Sequence, residues 1–258
     1  MSTLIERIAH DDIIVLRLAR PPVNALDPQL CAQLEAAVHA AVADGARGLV
    51  LAGGPKVFSG GLDVPYLLSL GEDRAALAAA WEAFFRAARA LAQSPVPVAA
   101  ALDGHAPAGG CVLALCCDWR AMARSPEPDK PYRIGLNETQ VGLVAPEGIQ
   151  QLMARVVGPQ RAERLLVEGE LVTTEQAHAL GLVDAVVESG ATVAAALAWL
   201  RRVLALPRQP MLATRAIARA DVVAALAPER IALPRFLDAW YQPDTQAGLR
   251  ALVARLGK

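Results

Sequence analysis

The segment "GHAPAGGCVLALCC", Gly104 to Cys117, sets two adjacent glycines in front of an apolar run of helical length. Pro107 and the glycines make a turn, and Gly109 and Gly110 leave the first amides of the following helix uncovered by any Cβ. A helix start of this kind offers unpaired N–H donors and the positive end of a dipole, which suits an anion or a developing negative charge. The same glycines also suit close packing of backbone on backbone. The stretch alone leaves both readings open.

Upstream of it, strands and helices alternate. "IIVLRLA" (Ile13 to Ala19) is apolar but for Arg17, and "GLVLAG" (Gly48 to Gly53) and "PVAAAL" (Pro97 to Leu102) are short apolar runs ended by turn signals; all three read as strands. Asp27 to Asp44 and Asp73 to Gln93 have helical apolar spacing, with Asp27 and Asp73 placed as N-caps. Downstream, from Pro146 onward, the pattern is helical and punctuated by Gly and Pro, relieved by one short strand at "LVDAVV" (Leu182 to Val187). The fold class is therefore α/β, with a helical second half that caps the first or serves assembly. "RSPEPDKP" (Arg124 to Pro131) is expected to be a surface loop.

The whole chain has 258 residues, enough for one large domain or a domain with a smaller appendage. Lys and Arg total 25 against 26 Asp and Glu, and aromatic residues are few, so neither charge nor stacking points to nucleic acid. Pro95, Pro97, Asp103 and Pro107 interrupt the longest apolar stretches well short of a membrane span. The N-terminal stretch alternates like a strand and carries Glu6 where a signal peptide needs an apolar core, so a cytoplasmic protein is expected. Cys31, Cys111, Cys116 and Cys117 form no CxxC pair and are read as reduced core residues.

Familiar catalytic frames are missing. No G-x-G-x-x-G follows a strand, Lys56 in "GGPKVF" lacks the phosphate-loop frame, and Ser59 has Val57 where a nucleophile elbow needs Gly. His10, His39, His105 and His178 share no metal-ligand spacing, so no metal is expected. What remains is a second loop-to-helix junction, "KVFSGGLDV" (Lys56 to Val64), and one acid, Glu138, flanked by Leu136, Val141 and Leu143. Two such junctions can aim two backbone N–H groups at one oxygen. A carboxylate in apolar surroundings has a raised pKa and can carry a proton near neutral pH, although a lone glutamate also suits a solvated helix position.

Taken in order, "PPVNALD", "FSGGLD", "PVAAALDGHAPAGGCVLALCCDWR", "IGLNETQVGLVAPEG" and "AERLLVEGELVTTEQAHALGLVDAVV" resemble the crotonase, or enoyl-CoA hydratase/isomerase, superfamily over nearly the whole chain. Within it, "FSGGLD", "AGGCVLAL" and "GLNETQVGLVAP" are most similar to the mitochondrial-type delta-3, delta-2-enoyl-CoA isomerases. The resemblance implies a spiral of ββα units over residues 1–190 bearing the acyl-CoA site. It implies a helical region over 191–258 that assembles homotrimers, sometimes paired into hexamers, and covers the site. By position, Leu62 and Gly109 match the backbone donors to the thioester oxygen. Ser59, Gly60, Gly61 and Asp63 fall in the segment that binds the adenine through its backbone, and Lys56 lies near the phosphates. Glu138 matches the base, and Val112 stands where hydratases carry a second glutamate. The implied reaction is the shift of a 3-enoyl-CoA double bond to the 2-trans position, with coenzyme A as the substrate's handle and no other cofactor. A hydratase using another acid such as Glu147, or an acyl-CoA-binding protein without turnover, are the alternatives, although Glu147 also suits a helix N-terminus.

Overall fold

Strand by strand, apolar residues alternate between two separate cores. The computed structural model describes residues 3–256. Its large sheet has the order β1 (Ile5–His10), β2 (Ile13–Leu18), β3 (Gly48–Ala52), β5 (Val98–Leu102), β7 (Trp119–Ala123) and β10 (Ala185–Val187). Only the β1–β2 pair is antiparallel. On one face Ile14, Leu16, Leu49, Leu51, Val98 and Ala100 join the main core, and on the other Ile13, Val15, Val50, Ala99 and Ala101 meet a smaller cluster. Burial on both faces is why "GLVLA" and "VAAAL" are continuous apolar runs.

A second sheet has the order β4 (Lys56–Val57), β6 (Gly104–Pro107), β8 (Arg133–Gly135) and β9 (Val172–Thr173). Consecutive strands alternate between the sheets: β3 then β4, β5 then β6, β7 then β8. Each pair is followed by helix, which is the expected ββα repeat. The helices of this layer are α1 (Pro28–Ala43), α2 (Val64–Ser69), α3 (Arg74–Ala92) and α4 (Gly109–Leu115), then α5 (Glu147–Val157), α6 (Pro159–Glu168) and α7 (Thr174–Ala179). Asp27 and Asp73 cap α1 and α3 as expected, accepting from the Leu30 and Ala76 N–H groups at 2.7 and 2.9 Å. Each such cap is worth about 1 kcal/mol.

From Trp119 onward the chain holds more strand than its sequence pattern predicts. In β7 the charged Arg120 breaks the apolar run, yet it is buried, donating to the carbonyls of Leu182 and Cys117 and pairing with Asp184. Strands β8 and β9, of three and two residues, are shorter than any periodicity can register. "LVDAVV" becomes a strand only from Ala185.

The remaining helices are α8 (Thr192–Leu204), α9 (Arg208–Ala218), α10 (Ala220–Ala225), α11 (Pro228–Ile231), α12 (Leu233–Trp240) and α13 (Pro243–Leu256). Ala196, Leu197 and Leu200 of α8 cover the second face of the large sheet, so the region 191–258 completes the sheet's packing as well as reaching the site. Arg215 of α9 grips Asp118 with two hydrogen bonds of 2.8 and 2.9 Å, and Arg219 adds a bond to the Cys116 carbonyl. Among the described residues, no helix is long and apolar enough to cross a membrane. All four cysteines are buried as free thiols, their pKa values pushed up by burial.

Candidate active site

The turn after β6 and the loop after β4 meet face to face. Ala108, the N-cap of α4, sits at φ 46° and ψ −118°, a conformation that costs an L-residue about 1–3 kcal/mol. Its N–H donates to the Gly135 carbonyl, which holds the turn in place. No side chain caps α4, and the Gly109 N–H at its first position has no acceptor among the described residues. Leu62 lies opposite Leu26 in a parallel bridge that uses the Gly61 carbonyl and the Asp63 N–H. The Leu62 N–H therefore points the other way and has no acceptor among the described residues. A methyl group placed on Gly109 would sit 3.4 Å from the Leu62 nitrogen, so the two free donors are neighbours.

The two readings of the glycine pair divide between its members. Gly109 bears the free donor, and a Cβ at Gly110 would come within 2.7 Å of the Ser59 carbonyl oxygen. Gly110 is required by close packing, and Gly109 serves both ends, since a Cβ there would also meet the Leu62 side chain at 2.6 Å.

Both donors open into a cavity of about 270 Å³ that Glu138 and Val112 also line. Glu138 begins a 3-10 turn (Glu138–Val141) and is half-buried; its Oε2 is shielded from solvent and has no hydrogen-bond partner. Burial raises its pKa from 4.5 to about 7, opposed only by its own backbone N–H. The turn is pinned from two sides. Thr139 and Gln140 donate to the Leu166 and Glu168 carbonyls of α6, and Thr245 of α13 donates to the Gly142 carbonyl at 2.6 Å. Among the described residues lining the cavity, Glu138 is the one ionisable group, and the rest of the wall is almost wholly apolar.

Of the residues singled out in the sequence, Glu138, Leu62, Gly109 and Gly60 line this cavity, whereas Lys56, Ser59, Gly61 and Asp63 do not. Ser59 is fully buried, its hydroxyl donating to the Asn24 carbonyl and accepting from the Gly61 N–H. The Asp63 carboxylate caps α2 through the Tyr66 N–H and pairs with Arg20 at 2.6 Å. These two side chains hold the loop in shape, while Gly60 and Lys56 of the same segment are exposed. Glu147 lies outside the cavity as the exposed first residue of α5, bonded to Arg230 and Gln151.

The sequence profile described as enoyl-CoA hydratase/isomerase matches residues 9–253. The chain belongs to the enoyl-CoA hydratase/isomerase family. It is 32% identical over 256 residues to human mitochondrial enoyl-CoA delta isomerase 1, covering 98% of this chain and 83% of that one. It is 34% identical over 224 residues to a probable enoyl-CoA hydratase of Mycobacterium tuberculosis, covering 86% of this chain and 82% of the relative. The crystal structure of human mitochondrial delta3-delta2-enoyl-CoA isomerase matches with a TM-score of 0.91 at 30% identity, over 98% of both chains. The fold is thus the crotonase fold expected from the sequence.

Two further groups of residues shape the site of this hydratase/isomerase family member beyond those singled out in the sequence. Asn24, buried in the "PPVN" segment, donates to the Phe58 carbonyl and accepts from the Arg20 N–H, bracing the loop that ends in Leu62. Trp81, Phe84 and Phe85 of α3, with Phe236 and Trp240 of α12, line the cavity. The i, i+3, i+4 spacing of the first three marks one helix face, a signal that the sequence does contain.

Proposed function

We propose that the protein is an isomerase that moves the double bond of a 3-enoyl-CoA to the 2-trans position. The observation that carries this reading is the lone ionisable group of the cavity: Glu138 stands beside the paired Leu62 and Gly109 donors, with Val112 facing the same space. Glu138 as carboxylate takes a proton from carbon 2. The electrons spread over a dienolate whose oxygen accepts from the Leu62 and Gly109 N–H groups. The same carboxyl then returns the proton to carbon 4, so one residue serves both steps and the proton balance closes. A pKa of about 7 keeps both protonation states populated at neutral pH, which a shuttling carboxyl requires. Each oxyanion donor is worth about 3 kcal/mol of transition-state stabilisation. Hydration needs a second group to hold and activate water, and Val112 supplies none.

As proposed, the reaction uses coenzyme A as the handle of its substrate and no metal or redox cofactor. Assembly as a homotrimer, or as paired trimers, belongs to the same reading. It is supported by α9, none of whose residues is buried, and by the exposed Leu206 and Ile217 on and beside it.

The deciding experiment incubates the pure protein with 2-enoyl-, 3-enoyl- and 3-hydroxyacyl-CoA thioesters and identifies products by mass and ultraviolet absorbance. Conversion of the 3-enoyl to the 2-enoyl thioester, with slow hydration, is expected. Rapid hydration of the 2-enoyl thioester would replace this reading with a hydratase, and binding without turnover would replace it with a carrier.

A further inference from the structure

The walls that α3 and α12 contribute to the cavity are aromatic. Trp81 is the hub, its ring centroid 4.5 Å from Phe236, 6.0 Å from Trp240 and 6.3 Å from Phe84, each in an edge-on arrangement, and 6.0 Å from Phe85 in a stacked one. The chain has only four Phe and four Trp, and all but Phe58, Trp119 and Trp199 line this one cavity. Elsewhere the main core is built mostly of Ala, Leu, Val and Ile, with Phe58 and Tyr132 its other buried rings.

We propose that the acyl group taken by this site ends in an aryl ring that seats among Trp81, Phe236 and Trp240. The proposal rests on reading the cavity as an acyl-CoA site and names the class of acyl group. A straight alkyl chain gains only the burial of its apolar area here. A ring gains that area and also edge-to-face contacts with walls already arranged edge to face.

The test uses saturated thioesters, which bind without turning over. Calorimetric titration compares 5-phenylpentanoyl-CoA with octanoyl-CoA and decanoyl-CoA, which bracket it in apolar area. The phenyl thioester is expected to bind about tenfold more tightly than either straight-chain ligand. Trp81→Leu removes the hub ring and keeps the wall apolar, and the phenyl-over-alkyl ratio is expected to fall to about threefold or less. Phe236→Leu, a milder change, lowers the same ratio if Trp81→Leu does not fold. Equal or weaker binding of the phenyl thioester by the wild-type protein overturns the proposal while leaving the acyl-CoA reading intact. Failure of all three thioesters to bind overturns both.

Discussion

Glu138 owes its raised proton affinity to its surroundings: an almost wholly apolar cavity and a shielded carboxylate oxygen with no hydrogen-bond partner among the described residues. If it is the base, Glu138→Gln, which keeps size and loses the proton site, should slow turnover by ~10²- to 10⁴-fold while acyl-CoA binding persists. Single-turnover rates alongside a binding titration separate the two effects. Because the carboxyl must start ionised, the wild-type rate with the free enzyme should climb as pH rises and level off above about 7. Stability moves the opposite way. The folded pKa lies above the unfolded value of about 4.5, so the folded state holds its proton more tightly. That contribution is fully present below about pH 4.5 and is lost as pH rises through about 7. Glu138→Gln, which cannot ionise, should therefore melt higher than wild type at pH 8 and close to it at pH 4.5, as read by calorimetry at the two pH values. At the facing position, Val112→Glu should raise 3-hydroxyacyl-CoA formation from a short 2-enoyl-CoA and depress isomerisation. Two carboxyls in one dry cavity raise each other's apparent pKa, so one stays protonated as an acid and the shuttle loses its base. If hydration by this variant stays at the wild-type level, Val112 does not mark the missing half of a water site.

Helix α4 and the loop after β4 are set against each other so closely that one hydrogen-for-methyl change tests their spacing. Gly110→Ala would drive a Cβ into the Ser59 carbonyl, a backbone atom fixed by the Ser59 hydroxyl bond to Asn24. Loop and helix must separate, which spreads the Leu62 and Gly109 donors. A turnover loss of about tenfold or more with a lower melting temperature is expected, and full activity would show that donor spacing is not critical. At this scale much could be read in advance. Asp27 and Asp73 announced α1 and α3, and the doubly buried strands β3 and β5 announced themselves as unbroken apolar runs. Arg120 concealed β7, because a buried guanidinium looks exposed until its partners Asp184, Leu182 and Cys117 are brought to it by the fold. The second sheet stayed hidden because its strands are two to four residues long and their pairing is decided by contacts between distant segments.

Across the whole molecule, the parts of the site drawn from local motifs were legible and the parts assembled by tertiary contact were not. Leu62, Gly109 and Glu138 each sit in a recognisable stretch. Phe236, Trp240, Leu252 and Thr245 come from helices that looked only like a cap, and nothing local says which of their faces reaches the cavity. The exposed face of α9 gives the last expectation. Light scattering coupled to size exclusion should give a mass near three or six times 27.1 kDa, and Ile217→Glu should shift it toward one chain. A wild-type mass of a single chain would sink the oligomer reading.

The bond from Thr245 to Gly142, together with Leu252 in the cavity wall, means that the turn carrying Glu138 is fastened on one side by residues made more than a hundred positions later. During synthesis Glu138 leaves the ribosome long before its fastening exists. A chain broken off before α13 would carry every recognisable motif and still lack this brace. If Glu138 is the base, competence arrives only with the final stretch of translation, and an unfinished copy is a silent one.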